Sequence, residues 1–292
     1  MVQVAGLDPQ PACLTKKPVN SLSSQRHGGG IHEEYSMNAL RQSVRGSLPY
    51  FAAIVGIVLI WQAVVVVTQP SPMLLPSPAL VTSTLAELFT SGELFVHAGF
   101  SLGRVLAAWL LAVAIAIPLG LAQGSSPIVE RFLDPVVELF RPISPLAWIP
   151  LAILWFGIGE SGKVFVIFIA TFFPILLNTV SGVKSVDPVL IRAGQVLGCR
   201  TQLQLFRHVI LPAAMPSIMV GLRISFGTGW AAIIAAELVA ANKGLGFLIA
   251  DGMEILRSDR VLAGMIIIGV LGVLIDTAFR LFGKKVRREE YQ

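Results

Sequence analysis

What most constrains this chain is a succession of apolar runs, each long enough or nearly long enough to cross a lipid bilayer. A spanning helix needs about 20 mostly apolar residues, and six runs fit, near 48–67, 105–121, 143–158, 164–183, 217–241 and 261–282. Hydrophobic residues make up 54% of the 292 and charged ones 13%, where soluble domains carry about 25% charged residues. An all-α membrane protein with six transmembrane helices is expected. The third run is short and holds Pro145 and Pro150, with Pro142 just ahead of it. Proline lacks the backbone donor that the helix ladder uses, so a kinked or partly unwound helix is expected there. Bilayers tolerate one only where protein or a water-filled cavity satisfies the freed groups, which favours an internal, pathway-lining position.

Orientation follows from Lys and Arg in the connecting segments. With the N-terminus inside, the inner segments hold sixteen of them and the outer segments four, Lys163, Lys243, Arg257 and Arg260. Both termini are therefore expected on the cytoplasmic side. Topology also accounts for the net charge of +5, and nucleic acid is not needed as a partner to explain it.

Residues 1–46 are polar, Ser- and Gly-containing and without helical period, which reads as a disordered cytoplasmic tail. No apolar h-region marks a signal peptide. The membrane domain is expected over 47–283 and a basic cytoplasmic tail over 284–292. Met37 opens a short basic flank leading into the first run. A chain begun at Met37 is expected to function normally, and loss of function on removing residues 1–36 would sink that expectation.

Between the first two runs, Pro70, Pro72, Pro76 and Pro78 precede a periodic stretch, which suits an outer loop followed by a surface helix. The second span is expected to begin near His97, a histidine better read as satisfied at a helix end than as a ligand. Cys13 and Cys199 stand far apart without metal-ligand neighbours, so neither suggests a disulfide or a metal.

The inner segment 184–212 is too polar to insert and too regularly patterned to be slack. Asp187 can cap a helix with Pro188 in its first turn, Val189, Leu190, Val196 and Leu197 give an apolar face, and Gly198 is a C-terminal stop. A second amphipathic helix, with Leu203, Leu205, Phe206 and Val209 beside Arg200, Arg207 and His208, is expected to end at Pro212. Two short helices at a membrane surface make either a docking platform or an interfacial pair resting on headgroups.

The segment "GIGESGKV" (157–164) fits G-x-x-x-x-G-K, but Val164 stands where a P-loop needs a hydroxyl, and apolar runs flank it where a strand and a soluble helix belong. It is expected to be an outer turn, with Lys163 as an interfacial anchor. Any ATP-driven process must use a partner's ATPase.

Within the fifth run, Arg223, Trp230 and Glu237 recur at i, i+7 and i+14, close to one stripe about 21 Å long. Ionisable residues in a span usually face an interior or aqueous path, or anchor its ends. With Ser144, Trp148 and Asn178 they form the candidate translocation path. Membrane-enzyme chemistry has no support: the chain carries no H-E-x-x-H.

Ala193, Gly198 and Leu211-Pro212 resemble the E-A-A-x3-G-x9-I-x-L-P loop of bacterial ABC-importer permeases. "SLGRVLAAW", "RPISPLAWIPLAILWFGIGESGK", "LFRHVILPAAMPSIMVGLRISFGTGW", "AAELVAANKGLGFLI" and "GVLIDTAFR" resemble, in order, blocks of that family's nitrate, taurine and aliphatic sulfonate branch. The likeness covers roughly 48–282. It implies the type I importer permease fold, with 184–212 as the cytoplasmic coupling-helix loop in a bacterial inner membrane. It further implies a second copy of the permease, two ABC ATPases that bind the ATP and Mg²⁺ this chain does not, and an extracytoplasmic binding protein that delivers a small oxyanion. Taurine or an alkanesulfonate, nitrate, bicarbonate and cyanate are the candidate cargoes. On this resemblance Gly198, Arg200, Leu203, Leu205, Phe206, Arg207, Leu211 and Pro212 would couple to the ATPase. The chain departs from the motif at Arg192 for Glu, at Gly194 for Ala, and in one extra residue before Leu211-Pro212, which the turn at Cys199 to Gln202 is expected to absorb. The alternative is an autonomous channel or secondary carrier for small anions, which would be expected to show inverted repeats or buried acidic relays.

Overall fold

The computed structural model describes residues 52–199 and 201–289, with side chains described to Leu281. Among these residues every regular element is helical. In chain order they are α1 (Ala52–Thr68), α2 (Pro78–Thr90), α3 (Glu93–Ser125), α4 (Pro127–Phe140), a 3₁₀ turn (Pro145–Trp148) leading into α5 (Ile149–Phe156), and α6 (Glu160–Lys184). Then follow α7 (Pro188–Val196), α8 (Gln202–Leu205), a π turn (Phe206–Ile210), α9 (Leu211–Ala240), α10 (Leu245–Glu254) and α11 (Ser258–Glu289). Residues from Leu59 onward make one compact unit, and α1 begins outside it. The expected tail 1–46 lies outside the described residues, and α11 carries the helix into the basic end as far as Glu289.

α3, α6, the continuous stretch Gln202–Ala240 and Ser258–Leu281 are each long and apolar enough to cross a membrane. α1, at 17 residues, is at the short end of spanning length. The run 143–158, expected to be kinked or partly unwound, is not a span by itself. The chain breaks after Phe140, passes through the 3₁₀ turn and resumes as α5, with Pro127–Phe140 and Pro145–Phe156 set at 83° to each other. Pro142 and Pro145 lack the N–H groups a continuing helix would use, so the ladder stops where they fall. Only with α4, placed by sequence in an inner connection, does this pair amount to a fifth crossing. The second span begins at Glu93, earlier than His97.

Small residues set the packing of the long helices. Ala108, Ala112, Ala116 and Gly120 recur every fourth position on α3, and the three alanines are fully buried. A Cβ on Gly120 would lie 2.8 Å from Thr179 of α6, and one on Gly229 of α9 would lie 2.6 Å from Thr171. Close backbone approach of this kind takes the place of hydrophobic driving force where the surroundings are lipid. Around this centre, α10 and α11 pack on α9 and α2 packs on α11 and α3, with Leu88, Leu245, Leu248, Ala263 and Ile267 in one buried cluster with Phe226, Trp230 and Ile233.

Pro212 does not end the second amphipathic helix. α8 runs through the π turn into α9 without a break, giving 39 helical residues from Gln202 to Ala240. Pro212 lies in the first turn of α9, where the ladder is changing register and a missing donor costs least. The π turn, which holds one residue more than an α turn, lies between Gly198 and Leu211-Pro212.

Candidate functional site

The connection between α6 and α9 forms as its residues suggest. Asp187 caps α7, its Oδ1 accepting from the Val189 N–H at 2.7 Å, with Pro188 in the first turn. Gly198, at φ +106°, lets the chain leave α7 in the left-handed region that side chains disfavour. Thr201 and Gln204 then make a reciprocal capping box that starts α8. α7 rests on the π turn at Gly194, where a Cβ would fall 2.7 Å from Val209 Cγ2 and 3.2 Å from Leu205 Cδ1. That contact explains the glycine that stands where the family motif has alanine.

Of the residues assigned to coupling, Leu203 is 75% exposed, and Arg207, Gly198 and Pro212 are also exposed. Phe206 and Leu211 are half-buried, and Leu205, at 6%, anchors α8 inward against Gly194. Arg200 lies outside the described residues. Val196 and Leu197, each 86% exposed, add apolar surface beside Leu203. With Val189 and Leu190, 63% and 50% exposed, five bare aliphatic side chains on two capped helices are the features of a surface made to be covered.

The residues assigned to the path do not gather at one place. Arg223 forks onto Asp276 of α11, at 2.6 Å from Nε and 3.0 Å from Nη2, and Asp276 also accepts from Arg280 at 2.9 Å. Its partner is thus a neighbouring span, not the inner loop. Trp230 is buried between α9 and α11 and its indole donates to the Ile268 carbonyl at 3.3 Å. Asn178 donates to the Pro174 carbonyl at 2.8 Å and packs where Gly221 leaves room for it. Ser144, exposed, caps the 3₁₀ turn of the broken span. Trp148 follows in the same turn, between Phe140 and Phe165, and its buried Nε1–H has no acceptor among the described residues.

Glu237 lies at the far end of α9, 1% exposed, in a network that sequence reasoning missed. Its carboxylate accepts from Arg104 Nη1 (2.7 Å), Ser101 Oγ (2.8 and 2.9 Å) and the Gly246 N–H (2.9 Å). Arg104 also donates to the Lys243 carbonyl at 2.6 Å and forks onto Glu160, which takes Lys163 Nζ at 3.1 Å. Gly244, at φ +130°, wraps so close that a Cβ would sit 2.3 Å from the Glu237 carboxylate. His97 Nδ1 accepts from the Gly244 N–H at 3.0 Å, so that histidine is satisfied as read. Lys163 is no interfacial anchor: it is 5% exposed and paired. The signal was available, since a charge inside a span generally has a partner inside another, and Arg104 and Glu237 both stood in spans.

Gly157 to Lys163 joins α5 to the first turn of α6. A helix, not a strand, precedes it, so it has no P-loop architecture. α6, 25 residues and about 37 Å long, separates this end from the α7–α8 platform. Among the described residues no group of three or more His, Cys, Asp or Glu side chains is placed to hold a metal ion.

Comparison with known proteins agrees with this architecture. The family model for the binding-protein-dependent transport system inner membrane component matches residues 112–288. The taurine transport system permease protein TauC of Escherichia coli (strain K12) is 41% identical over 78% of this chain and 84% of its own. The bicarbonate transport system permease protein CmpB of Synechocystis sp. (strain PCC 6803) is 33% identical over 82% and 88%. Among solved structures, the inward-facing MetNI methionine ABC transporter superposes with a TM-score of 0.56 at 20% identity, over 64% of this chain and 92% of that one. The helical bundle, the paired surface helices between α6 and α9 and these matches together make the chain a member of the binding-protein-dependent transport system inner membrane components, a multi-pass permease subunit of an ABC importer.

Proposed function

We propose that this permease forms the translocation path for a small oxyanion, taurine or another alkanesulfonate, nitrate, bicarbonate or cyanate, as one of two identical subunits in an inner-membrane importer. Relatives named for taurine and for bicarbonate transport support that class of cargo. Two cytoplasmic ATPases would bind the ATP and Mg²⁺ and dock on the platform between α6 and α9, and an extracytoplasmic binding protein would deliver the anion at the other end of α6. Both termini are then cytoplasmic. The broken span with Ser144 and Trp148, whose indole N–H is unclaimed, lines the path, joined by Asn178. A weak, polar, donor-rich route suits an anion that must leave as readily as it arrives.

The observation that carries the reading is the platform itself: Val196, Leu197 and Leu203 bare on two capped helices held to the bundle through Gly194 and Leu205. Phe206→Asp combined with Arg207→Glu is expected to abolish ATPase co-purification and reduce vesicle uptake by more than tenfold. If binding and uptake both survive, the platform is misassigned. Cargo is read from the anion that stimulates ATP hydrolysis when the binding protein is present. If taurine, alkanesulfonates, nitrate, bicarbonate and cyanate all fail, the substrate class is wrong even with the family right.

A further inference from the structure

Beside the Glu237 network, a cleft of about 250 Å³ opens at the end of the bundle away from the platform. Its walls come from the first turn of α6, the segment after α9 and one face of α3. Arg104, Lys163 and Lys243 line it against a single lining carboxylate, Glu160. Counting Glu237 behind the wall, the cluster still carries one net positive charge, and the geometry says where it resides. Arg104 is held by Glu160 and Glu237, and Lys163 by Glu160. The other two basic residues at this end, Arg257 and Arg260, are paired with Asp259 and with Glu93 and Asp251. Lys243 is exposed and makes no ion pair among the described residues.

Lys243 is nonetheless fixed in place. Its carbonyl accepts from Arg104, the next N–H is taken by His97, and its ammonium lies over the Phe100 ring, 5.1 Å from the centroid. Lys163 Nζ, almost wholly buried, has one acceptor for its three N–H donors. The Asn242 side chain completes the polar rim, while Phe100, Ile158 and Ala240 offer an apolar wall. A monatomic ion would leave most of this space empty. An anion with several oxygens and a short alkyl tail would use both walls.

We infer that this cleft is a binding site for a small oxyanion, best an alkanesulfonate, held by Lys243 Nζ, Lys163 Nζ and Asn242. The inference rests on the oxyanion reading of the cargo and assigns its first contact with the permease. It also gives a role to Ile158, Gly159, Glu160 and Lys163, the part of the P-loop-like segment that lines the cleft.

The test uses the assembled permease–ATPase complex without nucleotide, in phosphatidylcholine nanodiscs, with methanesulfonate as probe and saturation transfer to its methyl protons as readout. Binding is expected for the wild type, reduced at least fivefold by Lys243→Gln, kept by Lys243→Arg and unaffected by Lys184→Gln at the opposite end of α6. No transfer in the wild type, or transfer indifferent to Lys243→Gln, overturns the site. Transfer seen only in lipid-free detergent overturns it in favour of a phospholipid headgroup in the cleft. Docking of the unliganded binding protein is expected to change less than twofold in Lys243→Gln, and loss of docking would assign Lys243 to the protein contact instead. Because methanesulfonate binding is read without transport, an importer that binds it yet moves no oxyanion would defeat the proposed cargo and leave the site standing.

Discussion

Glu237→Ala is expected to destabilise the permease by about 3 kcal/mol, the low end of the range for breaking a buried ion pair, because Arg104 keeps Glu160 as a second partner. The variant would strip acceptors from Arg104 Nη1, Ser101 Oγ and the Gly246 N–H at once, in a place with 1% exposure. Unpaired buried donors lose their solvation with nothing in exchange, and α3, α9 and the segment leading into α10 would part where they are now joined. The measure is the midpoint of thermal aggregation of detergent-solubilised protein, followed by fluorescence-detected size exclusion. Glu237→Gln keeps the shape and one acceptor oxygen and should lose less. An unchanged midpoint for Glu237→Ala would show that the network is not structural. A fall in uptake for Glu237→Gln at unchanged stability would put the residue in the translocation path after all.

Gly194→Val is expected to uncouple the permease without unfolding it. A Cβ at this position already lies 2.7 Å from Val209 Cγ2, and two further methyl groups would push α7 off the π turn. The long spans pack elsewhere, through Gly120 on Thr179 and Gly229 on Thr171, so the bundle should persist while the platform deforms. Vesicle uptake is expected to fall more than tenfold and ATPase co-purification to weaken, with the amount of folded permease near normal. Gly194→Ala, whose single methyl needs only a shift of the Val209 side chain, should be milder. Wild-type uptake in Gly194→Val would mean that this contact does not set the platform's geometry.

The legibility of the molecule followed the range of the interactions. The long apolar runs, the α7 cap and the α7 stop were readable because each depends on neighbours in the chain: Asp187 on Val189, Gly198 on the turn it closes. The break before Pro145 was readable as a disturbance but not as an 83° bend, since proline dictates where a ladder stops and the packing decides how the pieces are set. Pro212 was misread for the same reason, because a π turn can carry a helix through a site where an α-helix would end. The path residues scattered into separate bonds between helices, Trp230 to Ile268 and Arg223 to Asp276, which no spacing along one helix discloses.

By itself, the sequence determined that this chain is a helical membrane protein, where its longest apolar runs lie, and that a capped pair of surface helices lies between the fourth and fifth runs. Hydrophobicity and backbone donors act over a turn or two, and those terms are written in consecutive residues. Only the tertiary structure decided that Arg104, Glu160 and Glu237, separated by 56 and 77 positions, form one cluster, buried at Arg104 and Glu237 and open at Glu160, and that this cluster leaves Lys243 as the uncompensated charge. Charge pairing inside a membrane depends on which helix faces meet, and that depends on the close approach of small residues from distant parts of the chain.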